Sequence, residues 1–350
     1  MSAFELPDDI WLEIISFLDS HDIIKNCFLI SKQFLGIIKS YSKLSIRVKA
    51  PLHGTINILL ETLLKSFSGR NLTKLDLRRN FIHAKLAEHL GNLHQLTDLN
   101  VDDSFIVEPA IDSIRYLTKL STLSINSNNL KTKELKIIKE MKQLTVLSIA
   151  KNSMQSGGAK LLRNLSNLTI LNISNNRIGN EGWKYLCSMK QLTKLNISGT
   201  NISSEGISYL TNFPNLTELN FSGNTSLRFS QKVQEQLSEL KYLTKLVINY
   251  IHPIPIDDLQ YIHKLEKLTS LSLKSNFMYD ASAIHISKCE KLTYLDVAIN
   301  NLSDAAAEAF SHLPNLKYLN ISENYLSKKG VELLRNMPQL TSLIYESELL

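Results

Sequence analysis

One pattern, written twelve times, limits this chain more than any other feature. LTKLDLRRNFI begins at Leu72, LTDLNVDDSFI at Leu96 and LSTLSINSNNL at Leu120; further starts fall at Leu144, Leu168, Leu192, Leu216, Leu243, Leu268, Leu292, Leu316 and Leu340. Nine of the eleven steps are 24 residues; the other two are 27, from Leu216, and 25, from Leu243. Self-similarity at such a period marks stacked supersecondary units. Within a copy, Leu75 and Leu77 alternate with Lys74, Asp76 and Arg78. That is strand periodicity, with the Leu pair turned inward and the polar set outward. The ninth position is Asn in eight of the first eleven copies: Asn80, Asn128, Asn152, Asn176, Asn224, Asn276, Asn300 and Asn324. An amide donates and accepts at once, so stacked Asn side chains can satisfy turn backbone groups of neighbouring copies. Ser104 and Thr200 can do part of this; Ile251 cannot. Thr fills the second position in ten of twelve copies, in a similar edge-satisfying place. The rest of each copy, as in EGWKYLCSM and DAAAEAFSHL, spaces apolar residues as an amphipathic helix does. Gly182, Gly206 and Gly330 recur near the helix starts, where a tight turn is expected.

The form L-x-x-L-x-L-x-x-N-x-Φ resembles the leucine-rich repeat, from Leu72 to the end of the sequence. The fold class expected is an α/β solenoid, with parallel strands on a concave face and helices on a convex one. Such arrays bind large partners and rarely carry chemistry. Residues 41–71 read as a linker and cap: KLSIRVK (Lys43 to Lys49) as a strand and INILLETLLKSF (Ile56 to Phe67) as an apolar helix. LTSLIYESELL closes the last copy without a helix after it.

Composition narrows the class. The chain has 350 residues, 60 Leu and 30 Asn, with only 12 Gly and 8 Pro, which excludes collagen-like or Pro/Gly-rich disordered chains. No apolar run reaches the length of a membrane span. MSAFELPDDI lacks a basic n-region and an apolar h-region, so no secretory signal is expected. Three scattered cysteines (Cys27, Cys187, Cys289) point to a reducing compartment. At least eleven N-x-S/T sequons, most on expected strands, argue against an ER-type route. A cytoplasmic location is expected. The net charge of +6 is spread along the chain, so binding to nucleic acid is not expected, nor is binding to a membrane.

Residues 1–40 differ in kind. FELPDDIWLEIISFLDSHDIIKNCFLISKQFLGII reads as three short helices, with Pro7 suited to a first helical turn. Three such helices bury little alone and need something to pack on. Leu6-Pro7, Ile10, Ile14, Leu18, Asp22-Ile23, Cys27 and Ile30-Ser31-Lys32, with Phe34 at the place of the usual Trp, resemble the F-box. An F-box in front of leucine-rich repeats is itself a known architecture. The resemblance implies an adaptor: the F-box docks Skp1, Skp1 joins a cullin–RING scaffold, and the repeats hold a target for ubiquitination. It implies that Leu6, Pro7, Ile10, Ile14, Leu18, Ile23 and Phe34 are core or Skp1-contact positions. No bond chemistry and no cofactor are implied; the contribution is proximity. Uniform repeats without Cys near the Asn position, in a sequence rich in Asn, Ile and Lys, look more like a bacterial array carrying a eukaryotic module. That origin implies an effector acting on ubiquitination in a host cytoplasm. The alternative is a repeat scaffold or inhibitor whose N-terminal helices serve only as a cap.

Target contacts are expected where the outward positions carry hot-spot residues. Lys274, Tyr294, Asp296, Tyr318 and Glu323 fall on adjacent copies. Copy eight, VINYIHPIPIDDL, breaks the Asn ladder with Pro253 and Pro255 and offers Tyr250, His252 and Ile254. Copies five to seven offer small polar residues and are expected to be bland. Arg78 and Arg79 face Asp102 and Asp103, a second candidate contact region for which mutual charge pairing on a solvated face is the expected alternative. No G-x-G-x-x-G, Walker A, H-E-x-x-H or C-x-x-C occurs. His83, His89 and His94 miss the spacing of a helical metal pair. Cys187, beside Trp183 and Leu186, reads as core.

Overall fold

A computed structural model describes residues 44–47, 64, 72–106, 110–251 and 259–346. Residues 1–40, which carry the F-box resemblance, lie outside the described residues, as do His252, Pro253, Ile254 and Pro255. The boundary between two compact units falls after Asn152. Repeats are numbered one to twelve from Leu72.

In the first unit, β1 (Leu44–Arg47), β2 (Leu72–Asp76), β3 (Asp98–Asn100), β4 (Thr122–Ser124) and β5 (Val146–Ser148) pair in chain order, all parallel. The KLSIRVK segment thus supplies a strand, as its alternation suggests. Helices α1 (Ala84–Gly91), α2 (Ala110–Ser113) and α3 (Leu135–Ile138) complete the repeats. The second unit holds β6 (Ile170–Asn172), β7 (Lys194–Asn196), β8 (Glu218–Asn220), β9 (Lys245–Val247), β10 (Ser270–Ser272), β11 (Tyr294–Asp296), β12 (Tyr318–Asn320) and β13 (Ser342–Ile344). They too are parallel and in order. Its helices are α4 (Ser156–Leu162), α5 (Gly179–Leu186), α6 (Ser204–Ile207), α7 (Gln231–Ser238), α8 (Asp280–Ile286), α9 (Asp304–Ser311) and α10 (Lys328–Arg335).

The core follows the Leu pattern. Leu295, Val297, Leu319 and Ile321 are buried from the strand side, and Ala306, Ala307, Phe310, Val331 and Leu334 from the helix side. Truncating one such Leu to Ala costs about 2–5 kcal/mol. Trp183 packs against Phe213 in a tilted arrangement, with ring centroids 5.2 Å apart, and donates its indole N–H to the Gly206 carbonyl. Cys187 and Cys289 are buried, and burial pushes each thiol up to about 12. That suits core packing and not nucleophilic work.

The Asn ladder forms as its chemistry predicts. Asn300 Oδ1 accepts the N–H groups of Asn276 and Met278, each at 3.0 Å, in the preceding repeat. Its Nδ2 donates to the carbonyls of Leu273, Val297 and Ala298. Asn128 and Asn224 likewise accept two N–H groups, and each donates to two carbonyls. Ser104 and Thr200 reproduce part of the donor half, reaching Leu77 and Ile197 carbonyls at 2.8 and 2.6 Å. Ile251 lends only its backbone N–H, to Asn276 Oδ1. The second-position Thr hydroxyls donate to the second-position carbonyl one repeat back, as Thr293 does to Thr269.

The glycines have a different role from the one expected. Gly182, Gly206 and Gly330 have no positive φ and lie inside helices α5, α6 and α10. A Cβ on Gly182 would sit 2.9 Å from Ile178 Cβ and 3.0 Å from Ser156 Cα. Close helix packing, not turning, excludes a side chain there.

Candidate functional site

The outward positions of each strand are three, five and seven, and the structure divides them between support of the fold and open surface. The seventh residue leaves the strand, and its N–H needs an acceptor. Where the fifth residue is Asn or Asp, that side chain accepts it: Asp76 from Arg78, Asn100 from Asp102, Asn172 from Ser174, Asn196 from Ser198, Asn220 from Ser222, Asp296 from Ala298 and Asn320 from Ser322. Where the fifth residue is Ser or Val, a seventh-position side chain of the preceding repeat accepts it instead. Asp102, Asn126, Ser222 and Asn249 serve Asn126, Ala150, Asn249 and Lys274 in this way. Much of the polar sheet face is therefore backbone satisfaction.

The ion pair expected between Arg78 and Asp102 does not form as a contact. Arg78 is bound by Asp76 of its own strand, at 2.8 Å, and this contact is the first cause of its raised pKa. Asp102 instead accepts the Ser124 hydroxyl and the Asn126 N–H.

In repeats five to eight, small side chains leave a shallow, open depression of about 260 Å³ lined by Asn172, Asn196, Asn220, Lys194, Glu218, Lys245 and their neighbours. Lys194 and Glu218 pair across it at 2.5 Å. Large side chains stand out farther on. Tyr294 and Tyr318, opposite each other in the β11–β12 register, stack with centroids 4.5 Å apart and planes 4° from parallel. Burial, then the charge of Asp296, pushes the Tyr294 hydroxyl above its ordinary range. Asp296 is half-buried; burial first holds its carboxyl above the usual range, opposed by the Ala298 N–H and by the charge of Lys274. Lys274 follows β10, and Glu323 lies exposed in the turn after β12. Lys274, Tyr294, Asp296 and Tyr318 thus hold outward strand positions of adjacent repeats, and Glu323 holds the eighth, turn position. Tyr250 stands in the turn after β9, and His252 is outside the described residues.

The eighth position shows what periodicity misses. Every described residue there has a left-handed φ, between 52° and 65°: Arg79, Asp103, Ser127, Lys151, Asn175, Gly199, Gly223, Tyr250, Ser275, Ile299 and Glu323. For an L-residue that region costs about 1–2 kcal/mol, and Gly or Asn bear it best. Gly199, Gly223 and Asn175 were the available signal. The tenth position is left-handed at Phe105, Asn129, Asn201 and Phe277. The structure exposes large apolar groups at these two positions: Tyr250 at 46%, Phe277 at 52%, Ile299 at 42% and Tyr325 at 64%. Phe81 and Phe105 do likewise in the first unit.

Among the described residues no cluster of three or more metal-ligating side chains occurs, and no helix is long and apolar enough to cross a membrane. A family model described as a leucine-rich repeat region matches residues 159–349, and a second, leucine rich repeat, matches 113–178. The chain belongs to the leucine-rich-repeat family. No curated protein matches this leucine-rich-repeat chain significantly. Among solved structures it is similar to an internalin (inlF) from Listeria monocytogenes, at 21% identity over 93% of each chain and a TM-score of 0.62. It is also similar to a chain of the mouse RP105/MD-1 complex, at 18% identity, covering 82% of this chain and 57% of that one, with a TM-score of 0.50. These likenesses concern the fold.

Proposed function

We propose that this leucine-rich-repeat protein is a non-catalytic substrate-recognition adaptor of a Skp1–cullin–F-box ubiquitin ligase. Residues 1–40 act as the F-box, 41–71 as linker and cap, and 72–350 as the solenoid that holds a target protein. The observation that carries the reading is the sequence resemblance to the F-box, from Leu6-Pro7 to Phe34, directly ahead of the repeats. Support for target binding comes from the surface of repeats eight to eleven, where Tyr250, Lys274, Tyr294, Asp296, Tyr318 and Glu323 gather; His252 belongs to the same proposal. The neighbouring fold from mouse occurs in a complex with another protein, MD-1. In this reading Leu6, Pro7, Ile10, Ile14, Leu18, Ile23 and Phe34 contact Skp1 or support that contact. A bacterial effector working in a host cytoplasm fits the Asn-, Ile- and Lys-rich composition.

The test is co-purification with Skp1 of the full chain and of a Leu6→Ala/Pro7→Ala variant checked by circular dichroism. Binding by the native chain, lost in a folded variant, is the expected result. A native chain that fails to hold Skp1 sinks the adaptor reading and leaves a repeat scaffold.

A further inference from the structure

The turns after β9 to β12 are tied in register: Tyr250 N–H donates to Lys274 O, Ser275 N–H to Ala298 O and Ile299 N–H to Ser322 O, at 2.9–3.0 Å. Their side chains therefore stand in rows about 4.8 Å apart, one repeat to the next. Two rules of the fold are broken on these rows. Left-handed positions that Gly199, Gly223 and Asn201 fill without strain are filled here by Tyr250, Ile299 and Phe277. Those side chains are also exposed, so folding recovers little apolar burial from them. A β-branched residue at positive φ is a true outlier, and such strain gathers at functional surfaces.

A third departure lies beside them. The fifth-position acceptor is Asn at 100, 172, 196, 220 and 320 and Asp at 76, where Arg78 pairs with it at 2.8 Å; at 296 it is Asp again, without such a partner. An Asn would cap the Ala298 N–H equally well without a charge to desolvate. Among the described residues neither Asp296 nor Glu323 has an ion-pair partner within 4.0 Å, although Lys274 acts on Asp296 at longer range. Among the described residues the charge at 296 thus completes no close ion pair.

We infer that the turn edge of repeats eight to eleven binds a protein segment that covers Tyr250, Phe277, Ile299 and Tyr325 with apolar side chains and brings a Lys or Arg to Asp296 and Glu323. This rests on the repeats being the target-binding surface, and it names the chemistry of the target: apolar residues beside a basic one. The strain, the exposure and the uncompensated carboxylates all have a purpose in the bound state.

The test uses the full chain and a displayed library of random dodecapeptides as the probe. Selected peptides should combine apolar residues with Lys or Arg. An Ile299→Asn/Phe277→Asn variant carries residues the fold already uses at these positions, so its thermal midpoint should hold or rise. Peptide affinity should fall roughly tenfold or more in that variant. Asp296→Asn should weaken only peptides with a basic residue, and Phe81→Asn/Phe105→Asn should leave affinity within about twofold. The inference is overturned by a library that yields no binder or only acidic or polar ones, by unchanged affinity in the Ile299/Phe277 variant, or by a fall in its midpoint. A native dimer in sedimentation that this variant dissociates also overturns it, since the occupant is then a second copy. None of these readouts involves Skp1, so failure of Skp1 binding and failure here are separable.

Discussion

Repeats six and seven and repeats eight to eleven lie in one unit and make the same turn, yet they meet its demands with different residues. In the first pair the left-handed eighth position is Gly199 and Gly223, and the fifth-position cap is neutral Asn196 and Asn220. In the second set those places hold Tyr250, Ile299 and Asp296, and the third position holds the stacked Tyr294 and Tyr318. The backbone bonds are alike in both. The difference teaches which side chains the fold requires and which it merely tolerates. Residues that depart from the local optimum, are exposed and gather on adjacent repeats, as at 250, 277 and 299, point to a use outside the fold.

The comparison can be broken first at what the two regions share. Asn300→Ala removes the acceptor for two buried N–H groups and the donor for three carbonyls. A loss of about 3 kcal/mol or more is expected in urea unfolding. Asn224→Ala should cost a similar amount. A loss below about 1 kcal/mol at Asn300 would mean that the second region is held by other means.

An exchange across the two regions has opposite signs. Gly199→Ile places a β-branched residue at φ +63° with its Cβ 2.6 Å from Asn175 Oδ1. It should destabilise by about 2 kcal/mol. Ile299→Asn should stabilise by about 0.5 kcal/mol by relieving the same strain. Equal effects of one sign in thermal unfolding would refute the distinction.

The smallest effects concern pH. The folded Asp296 carboxyl lies above its ordinary value, so ionisation opposes folding. That penalty is absent below the unfolded carboxylate range and complete above the folded value. Asp304 is the reverse: hydrogen bonding from Ser327 is the first cause of its lowered value. Its stabilisation is present above the unfolded range and is lost as pH falls through the folded value. Asp296→Asn should raise the midpoint near about pH 7 and not near about pH 3, whereas Asp304→Asn should lower it near about pH 7 and less so near about pH 3.

The repeat, its strand, its helix and its Asn ladder were legible because each is a periodic demand met by a characteristic side chain. Leu fills a buried place, and an amide answers two backbone groups at once. The eighth-position conformation was hidden because Lys151, Tyr250 and Ile299 adopt it without advertising it; Gly199, Gly223 and Asn175 hinted at it. Gly182 and Gly206 were misread because helix proximity is set by the neighbouring repeat, which a local window does not contain. The sheet-face acids were read as mutual charge pairs, yet Asp102 is used by the next strand. That assignment needs the register between strands, not the residue types.

The ladder has a direction. Asn300 answers the N–H groups of Asn276 and Met278, and Asn128 those of Ser104 and Ile106. In each case a later repeat completes an earlier one. During synthesis the turn of one repeat therefore stays unfinished until the next 24 residues have left the ribosome. Where the following repeat brings an Asn, assembly trails translation by one repeat, and the intermediate is a stack ending in a single open turn.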